Sequence, residues 1–140
     1  MNACPFCTLD QSRILAGNPL AVAIADGFPV TPGHSLIVPR RHIASFFEAT
    51  VEEQSALFEL LAEMRRCLLN PPRPPFGKGG SCPVPDGFNI GINDGAAAGQ
   101  TVLHLHIHLI PRYAGDSTDP RGGVRWIFPD KARYWDEEQS

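Results

Sequence analysis

His104-Leu105-His106-Ile107-His108-Leu109-Ile110 alternates imidazole and aliphatic side chains without a break. A period of two belongs to a β-strand, where successive side chains point to opposite faces. The three histidines therefore share one face, and Leu103, Leu105, Ile107 and Leu109 share the other. The apolar face calls for a packed partner. The imidazole face is a poor packed core, because three buried rings in a row would need three sets of polar partners. The chain has five histidines, so three in one register point to chemistry rather than to an incidental polar face. One shared metal ion does not explain all three. Residues two apart on a strand lie roughly 6.6 Å apart, which puts His104 and His108 roughly 13 Å from each other. A zinc-bound nitrogen must sit within about 2.0–2.1 Å of the ion. Two neighbours could share an ion, and at least one histidine has another task.

The partner for the apolar face lies upstream. Thr50, with Glu53 three residues on, predicts a capping box. Leu57, Leu60, Leu61, Met64 and Leu68 then recur at helical spacing until Asn70-Pro71 ends the helix. Leu20 to Ala25, closed by the turn pair Asp26-Gly27, and Ser35 to Val38, bounded by Pro32-Gly33 and Pro39, read as short strands. Ile43 to Phe47 reads as a short helical turn. Phe88 to Ile92 and Val102 to Ile110 read as the last strands, joined by the glycine-alanine loop Asp94 to Gly99. Between helix and strands, Asn70 to Gly87 holds six prolines and four glycines in 18 residues, so it reads as a surface loop. Strands joined by tight loops around one main helix indicate an α+β fold, with an antiparallel sheet of about five strands.

The 140 residues fit one domain, 1–140, with residues 70–87 as a loop insertion and 113–140 as a C-terminal tail. A formal net charge of −3 argues against wrapping nucleic acid by bulk positive charge. No apolar run reaches the roughly 18–20 residues of a membrane span. MNACPFCTLD lacks the basic and apolar regions of a signal peptide, which points to the cytoplasm. Of four cysteines, only Cys4-x-x-Cys7 forms a motif, and it reads as half of a metal site or as a redox pair. Cys67 and Cys82 have no such pattern.

The triad segment, Ala98-Gly99-Gln100-Thr101-Val102 before it, Ile110-Pro111-Arg112 after it, Phe88-Asn89-Ile90-Gly91-Ile92-Asn93, and Pro32-Gly33-His34 followed by Ile37-Val38-Pro39 together resemble the histidine-triad (HIT) family. The likeness covers most of the chain. The proline-rich stretch 70–85 departs from it as an insertion. The tail from Tyr113 resembles bacterial dinucleoside polyphosphate hydrolases more than mammalian phosphoramidases.

The resemblance implies two α+β protomers sharing one continuous antiparallel sheet as a homodimer, and a nucleotide bound against the triad strand. It implies cleavage of a nucleoside monophosphate, often AMP, from its leaving group through a covalent nucleotidyl-histidine. His106 would be the nucleophile and His108 the group beside phosphate and leaving group. His34 and His104 complete the catalytic quartet. Gly99, Gln100 and Thr101 match the loop that cradles the α-phosphate, Asn93 a phosphate-side amide, and Asp26 a carboxylate on the ribose hydroxyls. Relatives with an N-terminal Cys-x-x-Cys bind structural zinc, a set matched here by Cys4, Cys7, His42 of Pro39-Arg40-Arg41-His42, and His104. A nucleotide-binding adaptor that keeps the pocket is the alternative. A uridylyl transferase of this kind would be a longer chain with glutamine in place of His108.

Overall fold

The computed structural model describes residues 4–70 and 83–136. Five strands, β1 (Ile14–Gly17), β2 (Ala21–Ala25), β3 (Ser35–Pro39), β4 (Gly87–Gly91) and β5 (Ile107–Arg112), form one sheet in the order β1-β2-β3-β5-β4. Every pairing is antiparallel. The main helix, α1 (Val51–Leu69), crosses one face of this sheet, and a one-turn helix, α2 (Pro129–Ala132), lies near the C-terminus. The α+β expectation holds. Among the described residues, no helix is long and apolar enough to cross a membrane.

Alternation along each strand divides the apolar side chains between two cores. Ala21, Ala23, Ile37, Leu105, Ile107 and Leu109 meet Leu57, Leu60 and Met64 of α1. Each fully buried Leu, Ile or Met contributes about 1.5–3 kcal/mol relative to exposure. Val22, Ile24, Leu36 and Val38 face the other way, packed against Phe6, Leu9 and Ile14 of the N-terminal segment. Leu36 pairs with His108 in the β3–β5 register, so the histidine face of β5 is the face turned away from α1.

Helix α1 starts as its sequence dictates. The Thr50 hydroxyl accepts from the Glu53 amide at 3.1 Å, and Glu53 Oε1 accepts from the Thr50 amide at 2.9 Å. Glu53 is only 4% exposed and also receives Arg41 as a fork, at 2.7 and 3.1 Å. The Arg41 guanidinium, helped by the Thr50 amide, holds the Glu53 carboxyl at about 2. Arg41 is thus occupied away from the histidines, and Arg40 donates to the Asn18 carbonyl at 2.9 Å.

Several expectations need correction. β5 begins at Ile107 rather than Val102, because the chain before it is bent out of the ladder. There the Leu105 amide donates to the Ile43 carbonyl at 2.7 Å. Leu103 accordingly stands 61% exposed and does not join the apolar face. β1, unforeseen, is an edge strand with a register shift between Ile14 and Ala16. The turn expected at Ile43 to Phe47 is a 3-10 turn at Phe46–Glu48, capped by Ser45. Of the proline-rich stretch, residues 71–82 lie outside the described residues.

Candidate active site and metal centre

Four of the expected site residues converge at the N-terminus. The donor atoms of Cys4, Cys7, His42 and His104 all lie within 4.8 Å of one another. His104 Nδ1 is 3.4 Å from Cys4 Sγ, 3.5 Å from Cys7 Sγ and 3.1 Å from His42 Nδ1, and Cys7 Sγ is 3.2 Å from His42 Nδ1. A tetrahedral ion with bonds of about 2.0–2.3 Å needs donor–donor edges of about 3.3–3.8 Å, so these donors fit zinc with only small adjustments. The tautomer fits as well. His104 Nε2 lies 2.8 Å from the Pro39 carbonyl, which can only accept, so the ring proton sits on Nε2 and the Nδ1 lone pair faces the cluster. His104 is fully buried, and burial lowers its pKa, opposed by that carbonyl.

His106 uses the opposite tautomer. Its Nδ1 lies 2.8 Å from the His104 carbonyl and must carry the proton, which leaves a lone pair on Nε2. Residue 104 therefore contributes its side chain to one cluster and its carbonyl to the next. Phe6, held between the two cysteines, packs edge-on against His106 and His104, with ring centroids 5.3 and 5.7 Å away. Sequence reasoning passed over Phe6, although its place inside Cys-x-Phe-Cys was the available signal. All three triad rings thus find partners; the expectation that this face could not be buried is corrected for His104 and His106.

His108 belongs to a third group. The Val30 amide donates to His34 Nδ1 at 3.0 Å, so neutral His34 carries its proton on Nε2. That atom is 3.0 Å from His108 Nδ1, which in turn leaves the His108 proton on Nε2. Asp26 Oδ2 lies 3.2 Å from His34 Nε2 and 3.9 Å from His108 Nδ1. Burial pushes both imidazoles below their ordinary range, and the Asp26 carboxylate opposes this. The donor atoms of Asp26, His34 and His108 lie within 4.8 Å of each other, but the Val30 amide forces a proton onto the nitrogen that would have to bind a cation. This trio is built as a hydrogen-bonded chain.

The loop before the triad is braced from within. Gln100 is buried; its Oε1 accepts from the Gly95 amide at 2.8 Å and its Nε2 donates to the Ala44 and Val102 carbonyls at 2.9 and 3.1 Å. The Gly99 and Gln100 amides are donated to the Ala96 and Gly95 carbonyls. The Gln100 side chain and both amides are thus engaged within the loop itself. Thr101 stays exposed. Gly95 and Gly99 take φ of 96° and 92°, which favours glycine, and a Cβ at either would meet nothing within 4 Å. Open space therefore remains beside the loop.

A cleft of about 840 Å³ opens from His34 and His108 past Asn93 and Arg112 to Trp126 and Ile127. Its volume falls within the usual range for a small-molecule site. Arg112 is committed to Asp116 at 2.8 and 2.7 Å and to Asn89 at 2.7 Å. The C-terminal wall was invisible in the sequence, since its 3-10 turn Gly123–Ile127 is fixed by contacts such as Trp126 Nε1 to the Arg121 carbonyl at 2.7 Å.

Known proteins resemble this chain in sequence and fold. The HIT domain family model matches residues 9–115. An uncharacterised HIT-like protein of Mycoplasma genitalium is 34% identical over 116 residues, covering 80% of this chain and 74% of its own. The AP-4-A phosphorylase of Mycobacterium tuberculosis is 30% identical over 114 residues, 81% of this chain but 53% of the phosphorylase. A solved HIT-family structure from Bacillus subtilis superposes with a TM-score of 0.67 at 30% identity, over 81% of this chain and 76% of that one. The matched region holds the five strands, α1 and the whole triad, and the chain belongs to the HIT family.

Proposed function

We propose that this protein is a nucleotide hydrolase or nucleotidyltransferase that moves a nucleoside monophosphate, AMP in the simplest case, through a covalent bond to His106. The observation that carries the reading is the His106 tautomer: Nδ1–H is held by the His104 carbonyl and the Nε2 lone pair is free to attack. Attack on the α-phosphorus forms the P–Nε2 bond as the bond to the leaving group breaks. The His104 carbonyl stabilises the positive charge that develops on the ring. The His106 and His108 ring centroids lie 5.1 Å apart, so the His108 Nε2–H stands beside the departing atom and gives it a proton. Such proton transfer contributes typically about 10²–10⁴ in rate. Water then attacks phosphorus and passes its proton back to His108 Nε2, the P–N bond breaks, and the monophosphate leaves. Asn93 and Thr101 serve the phosphate, with Gly95 and Gly99 leaving room for it.

Cys4, Cys7, His42 and His104 would hold zinc. Four protein donors close its coordination, so the ion supplies rigidity rather than reaction chemistry. The AP-4-A phosphorylase relative supports a dinucleoside polyphosphate as substrate. A homodimer in the cytoplasm completes the reading. The test is a panel of Ap4A, Ap3A and an adenosine phosphoramidate with mass analysis of products. The proposal expects AMP release by the native protein and none by His106→Ala, with AMP binding kept. Binding of AMP without turnover of any of the three would favour the adaptor.

A further inference from the structure

Asp26 ends the stretch of chain that leaves β2 and turns toward His34. Its Oδ1 accepts from the Phe28 amide at 2.8 Å, the ordinary work of an Asp-Gly turn. Oδ2 points elsewhere, to 3.2 Å from His34 Nε2 and 3.9 Å from His108 Nδ1. Those two nitrogens are 3.0 Å apart and share one proton, because the Val30 amide keeps His34 Nδ1 bare. A second proton cannot enter that gap unless both N–H groups find a common acceptor. Asp26 Oδ2 is the atom beside both.

We propose that Asp26 is a positioning residue, the counter-charge that lets the His34–His108 pair hold a second proton and so makes His108 a cationic proton donor. The inference rests on the reaction proposed above. The extra proton leaves from His108 Nε2 to the leaving oxygen or nitrogen as its bond to phosphorus breaks, which leaves both rings neutral and His108 Nε2 bare to take a proton back from the attacking water. Burial of the two rings works against the added charge, and the carboxylate works for it. The other charged groups nearby are accounted for. His106 packs edge-on against His108, and the Arg13 guanidinium donates to the Ala25 carbonyl. Asp116 and Asp119 of the cleft are paired with Arg112 and Arg121.

A carboxylate that grips ribose and one that charges a histidine pair behave differently when the ribose hydroxyls are removed. Asp26→Asn keeps an oxygen for the Phe28 amide, and Asp26→Ser does the same if the first variant does not fold. On an adenosine phosphoramidate and its 2′,3′-dideoxy analogue, the proposal expects the same fall in kcat, about 10–10²-fold, with KM little changed. The alkaline limb of kcat should move to lower pH. In ¹⁵N-histidine NMR of the free protein, the step that doubly protonates the His34–His108 pair should also move to lower pH. A loss confined to KM and to the ribose substrate overturns the proposal, as does an NMR titration that does not move. If the native protein turns over no nucleotide, the reaction above fails, and the NMR titration still decides the role of Asp26.

Discussion

If the proposed zinc site forms, removing Cys4 should cost both the ion and a measurable part of the fold's stability. Four of the six donor–donor separations are 3.1–3.5 Å and all lie within 4.8 Å, so the donors are already gathered and little of the binding energy is consumed in rearranging the chain. The ion would join the N-terminal knuckle, the segment after β3 and the bend before β5, three regions that are separate in the unfolded chain. A ligand present at about 100–1,000 times its Kd stabilises by about 2.7–4.1 kcal/mol. For a chain of this size, about 2–4 °C per kcal/mol converts this to a fall in Tm of about 5–16 °C. Metal analysis of purified protein should give close to one zinc per chain, and Cys4→Ser should give almost none, with the lower Tm seen by calorimetry. Cys67→Ser, at a half-buried position of α1 away from the cluster, is the control and should change neither. A Cys4→Ser protein with full zinc and native Tm would refute the reasoning.

Three further outcomes follow from other contacts. Arg41→Met strips the counter-charge from a carboxyl held at about 2 against an ordinary 4.5. A depressed carboxyl contributes stability above its unfolded value and loses it as pH falls through the folded one, so the variant should lose stability at pH 7, by an amount reduced because Arg41 is half exposed, and far less near pH 2, in urea titrations at the two pH values. Gln100→Ala removes three hydrogen bonds of a buried amide and should cost about 3 kcal/mol, with kcat falling as the loop loosens; unchanged Tm would contradict the bracing role. β4 is an open sheet edge, and pairing of two such edges would give the expected homodimer. Light scattering at micromolar concentration should read twice the chain mass, and a Pro substitution at Ile90 should yield monomer.

What the sequence disclosed depended on how local the cause was. The capping box at Thr50 and Glu53 is satisfied within one turn, so the start of α1 was legible, and the alternation of the triad correctly placed the histidines opposite the helix. The start of β5 was not, because the Leu105 amide is taken by Ile43, some sixty residues upstream. Gln100 shows the same limit: its motif marked the loop, but only the packed structure reveals that its amide braces Gly95, Ala44 and Val102. The grouping of Cys4, Cys7, His42 and His104 was expected from the family resemblance rather than from spacing. The hydrogen bonds that set each ring's tautomer, from Pro39, His104 and Val30, leave no trace in residue order.

The central claim is that His106 Nε2 forms a bond to phosphorus. Native protein mixed with an adenosine phosphoramidate, quenched without acid within one turnover and digested, should yield a peptide spanning residues 101–112 that is heavier by one adenylyl group, with fragmentation placing the group on His106. The same peptide from His108→Ala should carry the adduct after slower formation. An adduct on another residue, or full turnover by His106→Ala, would contradict the account.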